Sequence, residues 1–563
     1  MRPALPKIAL PLLALATALS FTSPALADET PAAPPAAEAA APAAPPRLIV
    51  AISVDQFSAD LFAQYREHFS KGFGRLLQGA VFPSGYQSHA ATETCPGHST
   101  LLTGVHPSRT GIVANNWYVP GIGRADKKVY CVEDETNPKS TPKKPVVSPG
   151  HLKAPTLGDL LKKRNPATIN AAVSAKDRAA VMMSGHDTDA VYWFDGKGFT
   201  TFEDRKITPA VKAENAAVAA LVDAGNGPLP VPGYCGAVDH AVKVKDFTIG
   251  TYRFPQQAGD YSTFKRGPRL DAATGDMAIR MVDELGMGKD AVPDVLSVSF
   301  SQTDRVGHAF GHEGVEMCIQ LAQLDATLGK LFAALDARGI DYAVVLSADH
   351  GGFDAPDRLN QQGYPAAKYI SPALEGDALA AAVSKETGIT APQGKLLYGG
   401  GSSGDIYLGA GLTKAQRKTV TEALVALLKA NPEVDAVYTA DELKALQVPH
   451  GDPQDWTMIE RVRASFDPER SGDVLMMTKR GVVGISDPEQ GHTATHGSPW
   501  DYDRRVPIVF WRKGMAGEEQ PVPVETVDIA PTLAALVGLK EPAGTWDGRC
   551  LDIDGSEADT CAR

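Results

Sequence analysis

Short apolar runs, each ending in polar residues suited to chemistry, recur along this chain. Leu48-Ile-Val-Ala-Ile-Ser-Val54 ends in Asp55, and Thr168 to Val173 leads to Ser174-Ala-Lys176-Asp-Arg178. Asp294-Val-Leu-Ser-Val-Ser-Phe300 leads to Ser301-Gln-Thr-Asp304-Arg-Val-Gly-His308, and Tyr342 to Leu346 leads to Asp349-His350-Gly-Gly352. Continuous apolar runs of this length read as strands buried on both faces, which is the habit of parallel sheets. Helix-like stretches lie between them at Leu157 to Arg164, Ala272 to Leu285 and Cys318 to Leu335. The alternation predicts an α/β fold, a three-layer α/β/α core with a mostly parallel sheet.

After Asp349-His350 the pattern changes. A glycine run from Gly399 to Gly404, a strand-like Asp405 to Leu408, a helix over Lys414 to Ala430 and a strand over Val434 to Tyr438 predict a smaller inserted α/β subdomain spanning 357–480. The main domain then comprises 47–356 and 481–563, resuming through His496, the strand Val506 to Trp511 and the helix Thr526 to Val537. The glycine run has no Lys-Ser/Thr after it, so it reads as a turn and not a P-loop.

The amino terminus adds a compartment. Arg2 and Lys7, the apolar stretch Ile8 to Leu19 and the small-residue site Ala25-Leu-Ala27 read as a secretory signal over 1–27. Residues 28–46 are mostly Ala and Pro and form a tether with no core of its own. No later segment reaches about 18 uninterrupted apolar residues, so no membrane span is expected. The mature chain is expected in the periplasm or the medium, as a monomer. Loss of the leader removes two positive charges and moves the net charge from −12 to −14. That balance argues against nucleic-acid binding through phosphate contacts, and any anionic substrate needs a strong local positive centre. The six cysteines of an exported chain predict disulfides, with Cys550–Cys561 closing a short C-terminal loop.

Three apolar runs thus end in metal-type ligands: Asp55, then Asp304 with His308, then Asp349 with His350. A turn-rich loop at Ala494-Thr-His496-Gly-Ser-Pro499 offers a further histidine, with His492 as a competitor. Mixed carboxylate and imidazole ligands at equivalent strand ends suit a pair of divalent ions with positions left open for substrate. Zn²⁺ fits, as do Mn²⁺ and Fe²⁺, and a further Ca²⁺ is compatible with the Asp/Asn-rich loops. In Thr92-Glu-Thr94-Cys-Pro-Gly-His98, Pro96 suits a first helical turn. Thr94 then stands just ahead of a helix N-terminus, as a cap or, beside a metal, as a nucleophile. Lys176 and Arg178, two apart in extended chain, point the same way and suit a dianion. His98 and His312 read as structural or supporting residues.

Taken together, Asp55, Thr94-Cys-Pro-Gly-His98, Gly111 to Asn116, Lys176-Asp-Arg178, Asp304 to His308, Asp349-His350 and Thr495-His-Gly497 resemble the alkaline phosphatase superfamily, specifically its secreted zinc-dependent PhoK/PafA-type alkaline phosphatases. The resemblance covers the chain after the tether. It implies that one Zn²⁺ takes Asp304, His308 and His496, and a second takes Asp55, Asp349, His350 and the Thr94 oxygen. It implies that Thr94 is transiently phosphorylated and that the Asn115 amide, with Lys176 and Arg178, binds the phosphoryl group. Small phosphate monoesters are the expected substrates. The alternative on the same fold is a nucleotide pyrophosphatase/phosphodiesterase, from which the Lys176–Arg178 pair distinguishes this chain. A sulfatase motif is excluded, because Cys95 is followed directly by Pro96 and no Arg lies nearby.

Overall fold

Strand register gathers the chemistry at one edge of the molecule. Leu48–Val54 is buried at every position and pairs in parallel with Asp294–Phe300 on one side and Tyr342–Ser347 on the other. Ser53 lies opposite both Ser299 and Ser347, and Ser299 lies opposite Ser174 of the next parallel strand, Asn170–Ser174. The carboxyl ends of all four strands are therefore level. The residues that follow them, Asp55, Lys176, Ser301 to Asp304, and Asp349, emerge at a common height.

The computed structural model describes residues 44–401, 404–554 and 559–562, so the expected leader (1–27) and nearly all of the tether (28–46) lie outside the described residues. The central sheet has ten strands. Beyond Tyr342–Ser347 comes Arg505–Arg512, antiparallel to that strand and to Ala80–Tyr86, while Ala190–Phe194 extends the parallel part at the other side. The sheet is thus mostly parallel, as expected.

Alternate residues of Leu48–Val54 feed two cores. Leu48, Val50, Ile52 and Val54 pack with the helices Arg269–Leu285 and Val315–Ala337, whereas Ile49 and Ala51 face the helices Thr94–Thr103, Leu157–Arg164 and Ile529–Leu536. Two helical layers around a doubly buried sheet give the three-layer architecture. The expected helix Thr526 to Val537 divides into a 3₁₀ turn, Thr526–Asp528, and Ile529–Leu536.

Residues 357–480 contain a separate sheet. Leu397–Gly399, Asp405–Leu408, Val474–Thr478 and Val434–Thr439 pair antiparallel in that order, backed by the helices Gly376–Thr387 and Lys414–Lys429 over a distinct apolar cluster. The described residues nonetheless form one compact unit with the central sheet.

Disulfides join Cys95 to Cys131, Cys235 to Cys318 and Cys550 to Cys561. The C-terminal segment is also held by a buried charge cluster around His106. The ring Nδ1 lies 3.1 Å from Asp547 Oδ2 and Nε2 lies 3.1 Å from Glu525 Oε1. Burial opposes protonation of this imidazole, but hydrogen bonds to the two carboxylates outweigh it and push the pKa up to about 9. The folded-state pKa exceeds the unfolded value of about 6.5, so the stabilisation is complete below pH 6.5 and is lost as pH rises through about 9. Thermal unfolding followed between pH 6 and 10 is expected to show a falling Tm. His106→Gln should lower Tm at neutral pH and flatten that fall; parallel curves for the two proteins would remove His106 as its source.

Candidate active site

The three carboxylates that end the apolar strands converge. Asp55, Asp304 and Asp349 are almost entirely buried, with relative exposures of 0%, 3% and 0%. The Lys176 ammonium bridges two of them, 2.6 Å from Asp55 Oδ2 and 2.5 Å from Asp304 Oδ2. His350 Nε2 lies 3.3 Å from Asp349 Oδ2 and 3.6 Å from Asp55 Oδ1. On the far side of Asp304, His308 Nε2 and His496 Nε2 approach its Oδ1 at 3.3 and 3.4 Å. Two groups of potential ligands result, Asp304–His308–His496 and Asp55–Asp304–His350, with Asp304 common to both.

Each histidine is oriented from behind. His308 Nδ1 donates to the Ala494 carbonyl (2.8 Å), His350 Nδ1 to Gly351 (2.8 Å) and His496 Nδ1 to Thr92 (2.7 Å). A carbonyl only accepts, so the proton resides on Nδ1 and the Nε2 lone pair faces the carboxylates. This is the arrangement of metal-ligating histidines. Among the described residues, Asp55 Oδ1, Asp304 Oδ1, Asp349 Oδ2 and His350 Nε2 are buried without a hydrogen-bond partner. A donor set of this kind fits divalent cations such as Zn²⁺.

Local structure explains how distant segments meet. Asp304 and His308 are one turn apart on the helix Gln302–Phe310 and so share a face. The loop carrying His496 is pinned to the same helix, because Thr493 N and Ala494 N both donate to the His308 carbonyl. Gly351 N and Gly352 N donate to the carbonyls of Asp503 and Tyr502, which fixes the Asp349-His350 turn. The rings of His350 and His496 consequently stack with centroids 3.7 Å apart.

Thr94 is fully buried and is the first residue of its helix, with Glu93 at the cap position. The sequence placed it just ahead of the helix; the difference arises because Glu93, in extended conformation, makes the turn. Thr94 Oγ1 receives the Lys176 ammonium at 3.4 Å and Arg178 Nη2 at 3.2 Å. These cations do not share an extended strand as expected. Lys176 caps the helix Asp177–Ser184 and Arg178 lies inside its first turn, where side chains tilt back toward the N-terminus and still reach Thr94. Asn115 Oδ1 accepts from Cys95 N at 2.8 Å, which fixes its amide beside the residue that follows Thr94 and leaves Nδ2 free of that bond.

The electrostatics divide the carboxylates. Burial, with Asp304 and Asp349 nearby, holds the Asp55 carboxyl well above the ordinary range. Burial raises Asp304 and Asp349, but Lys176 outweighs it at Asp304, and His98 with Lys176 at Asp349, so both are held below that range. Burial lowers the His350 pKa to about 3 and keeps the imidazole neutral.

His98 is buried and structural, donating from Nδ1 to the Thr94 carbonyl (2.9 Å) while Nε2 meets Ser299 Oγ (2.9 Å). The ring of His492 stands 5.4 Å from that of His308, outside both ligand groups. Sequence reasoning missed Gln56, a buried residue with φ +64° whose N–H holds Asp349 Oδ1 at 3.0 Å. A left-handed non-glycine residue directly after a potential ligand is backbone strain of the kind that gathers at functional sites, and no residue-type signal announces it.

The fold and the gathered ligand-type residues define a phosphohydrolase-like centre, and a model of the type I phosphodiesterase/nucleotide pyrophosphatase family matches residues 49–499. The chain belongs to that family, within the alkaline phosphatase superfamily. It is 50% identical over 523 residues to alkaline phosphatase PhoK of a Sphingomonas species, covering 92% of this chain and 93% of that one. It is 46% identical over 520 residues to alkaline phosphatase PhoD of Zymomonas mobilis, covering 92% and 89% respectively. The crystal structure of alkaline phosphatase PafA superposes with a TM-score of 0.78 at 26% identity, over 91% of this chain and 100% of that one.

Gly97 gives a test of how tightly the site is framed. A Cβ there would stand 1.9 Å from the Asp349 carbonyl oxygen, which is backbone and cannot rotate away. Gly97→Ala is expected to destabilise the protein by about 1–3 kcal/mol and to reduce bound metal, measured by chemical denaturation and by metal analysis. Unchanged values in both would mean the Asp349 turn has room to shift.

Proposed function

We propose that the protein hydrolyses phosphate monoesters through a phospho-threonine intermediate on Thr94, at a site holding two Zn²⁺ ions, and releases inorganic phosphate in the periplasm or the medium. The observation that carries this reading is the convergence of Lys176 and Arg178 on Thr94 Oγ1, beside two groups of ligand-type residues. The names of its relatives, alkaline phosphatases PhoK and PhoD, support the same class of reaction.

Asp304, His308 and His496 would hold one ion, and Asp55, Asp349 and His350, with Thr94 Oγ1, the other, with Asp304, which also neighbours Asp55 and His350, shared between them. When bound, the ions supply positive charge to the attacking and departing oxygens. The protein's own groups do the rest. The helix N-terminus beneath Thr94 and the two neighbouring cations lower the cost of an alkoxide at Oγ1. That oxygen attacks phosphorus, the ester oxygen departs, and the Thr94 phosphate is then cleaved by water to restore the hydroxyl. Throughout, Arg178, Lys176 and Asn115 Nδ2 hold the non-bridging oxygens. Recognition confined to the phosphoryl group implies wide tolerance of leaving groups and a phosphate-scavenging role.

Two cations beside the nucleophile favour a monoester dianion over a diester, which carries one charge fewer. Turnover of nitrophenyl phosphate is expected to exceed that of bis-nitrophenyl phosphate and nitrophenyl sulfate by orders of magnitude. Faster diester turnover would instead establish the nucleotide pyrophosphatase/phosphodiesterase alternative. Thr94→Ala should abolish phospho-enzyme trapped by acid quench, and label retained elsewhere in the chain would displace Thr94 from the nucleophile's role. Because Asp304 belongs to both ligand groups, Asp304→Ala is expected to lose both ions, whereas His308→Ala should keep one. Metal analysis of the purified variants distinguishes the two, and equal stoichiometry would break the shared-ligand assignment.

A further inference from the structure

Arg178 is held differently from its partner cation. Lys176 is fixed by two carboxylates. Among the described residues, the Arg178 guanidinium makes hydrogen bonds to Thr94 Oγ1 from Nη2 (3.2 Å) and to the Tyr130 hydroxyl from Nη1 (3.5 Å), while its Nε is buried with none. The Tyr130 hydroxyl is itself oriented. It lies 2.6 Å from Asp177 Oδ1, and a carboxylate only accepts, so the phenolic proton is committed to Asp177 and the oxygen lone pairs face Arg178. A guanidinium is planar and rigid, so a contact at Nη1 sets the direction of Nη2.

The tyrosine is also tied to the rest of the site. It lies on the strand Lys128–Tyr130, directly opposite Asn116 of the strand Asn116–Tyr118, and Cys131 N donates to the Asn115 carbonyl at 3.0 Å. Cys131 is bonded to Cys95, the neighbour of Thr94. The open end of one short hairpin therefore carries both Asn115 and the support of Arg178, and it is covalently stapled to the helix of Thr94.

We propose that Tyr130 is a positioning residue for the phosphoryl clamp: its hydroxyl, oriented by Asp177, aims the Arg178 guanidinium at the group bound on Thr94. This inference rests on the monoesterase reading above. Tyr130 touches no reacting atom. It acts through Arg178, so its removal matters most where Arg178 matters most, on doubly charged phosphoryl groups.

The test is a double-mutant cycle of Tyr130→Phe and Arg178→Ala, assayed on nitrophenyl phosphate and bis-nitrophenyl phosphate and by inhibition with inorganic phosphate. Tyr130→Phe is expected to lower monoester kcat/KM about tenfold, the scale of one hydrogen bond to a charged group. It should weaken inhibition by phosphate to a similar degree and change diester turnover by no more than about twofold. In the Arg178→Ala background the same substitution should cost nothing further. Equal losses on both esters, or a full loss repeated without Arg178, would overturn the proposal and make Tyr130 a general structural residue. If Arg178→Ala itself spares monoester turnover, the clamp reading fails and the positioning role fails with it. A costly Arg178→Ala beside a silent Tyr130→Phe sinks the positioning role alone.

Discussion

Asp55, Asp304 and Asp349 are crowded together in the interior at the end of one sheet. Removing a carboxylate from water costs several kcal/mol even after relaxation, and crowding like charges adds to that. The rest of the site is organised around offsetting this. Lys176 bridges two of the three, and backbone N–H groups of Gln56 and His350 hold Asp349 Oδ1. The demand that remains, for positive charge among buried oxygens without hydrogen-bond partners, is what suits the centre to cations.

Three helices begin at this edge: Thr94–Thr103, Asp177–Ser184 and Gln302–Phe310. Each presents the positive end of its backbone dipole to the same region, and together with Lys176 and Arg178 they offset the net negative charge of the chain locally. The buried Asp271 on Arg269–Leu285 secures the third of these helices, accepting from Ser301 N at 3.0 Å and from Gln302 N at 3.2 Å. Burial raises its pKa to about 7.

Much of this could be read from the chain, for a physical reason. Strands buried on both faces have no alternation to blur, so Leu48–Val54, Asp294–Phe300 and Tyr342–Ser347 stand out as runs, and their ends are where α/β sheets place ligands. Asp55, Asp304, His308, Asp349 and His350 were legible on that basis, and the structure gathers all five. His496 comes from a loop whose position depends on backbone bonds to His308, which no local pattern encodes. The strand Leu397–Gly399 escaped notice because it is short and lacks a run of its own, and Val474–Thr478 because its apolar run is only four residues long. Tyr130 and Gln56 were illegible for a different reason: one acts through a neighbour's geometry and the other through a backbone angle, and neither leaves a mark in residue type.

The level register of Leu48–Val54, Asn170–Ser174, Asp294–Phe300 and Tyr342–Ser347 has a consequence for how such a chain varies. Nearly 250 residues separate Asp55 from Asp304, yet what places them side by side is the pairing of Val54 with Phe300. Crossovers between strands are therefore free to lengthen, shorten or acquire whole substructures, as the chain does after Asp349-His350 with its additional sheet. A single residue gained or lost inside one of the strands would turn its chemistry away from the centre. Divergence in this architecture is channelled into the connections, so chains of very different length and leaving-group surroundings can keep one unaltered reaction centre.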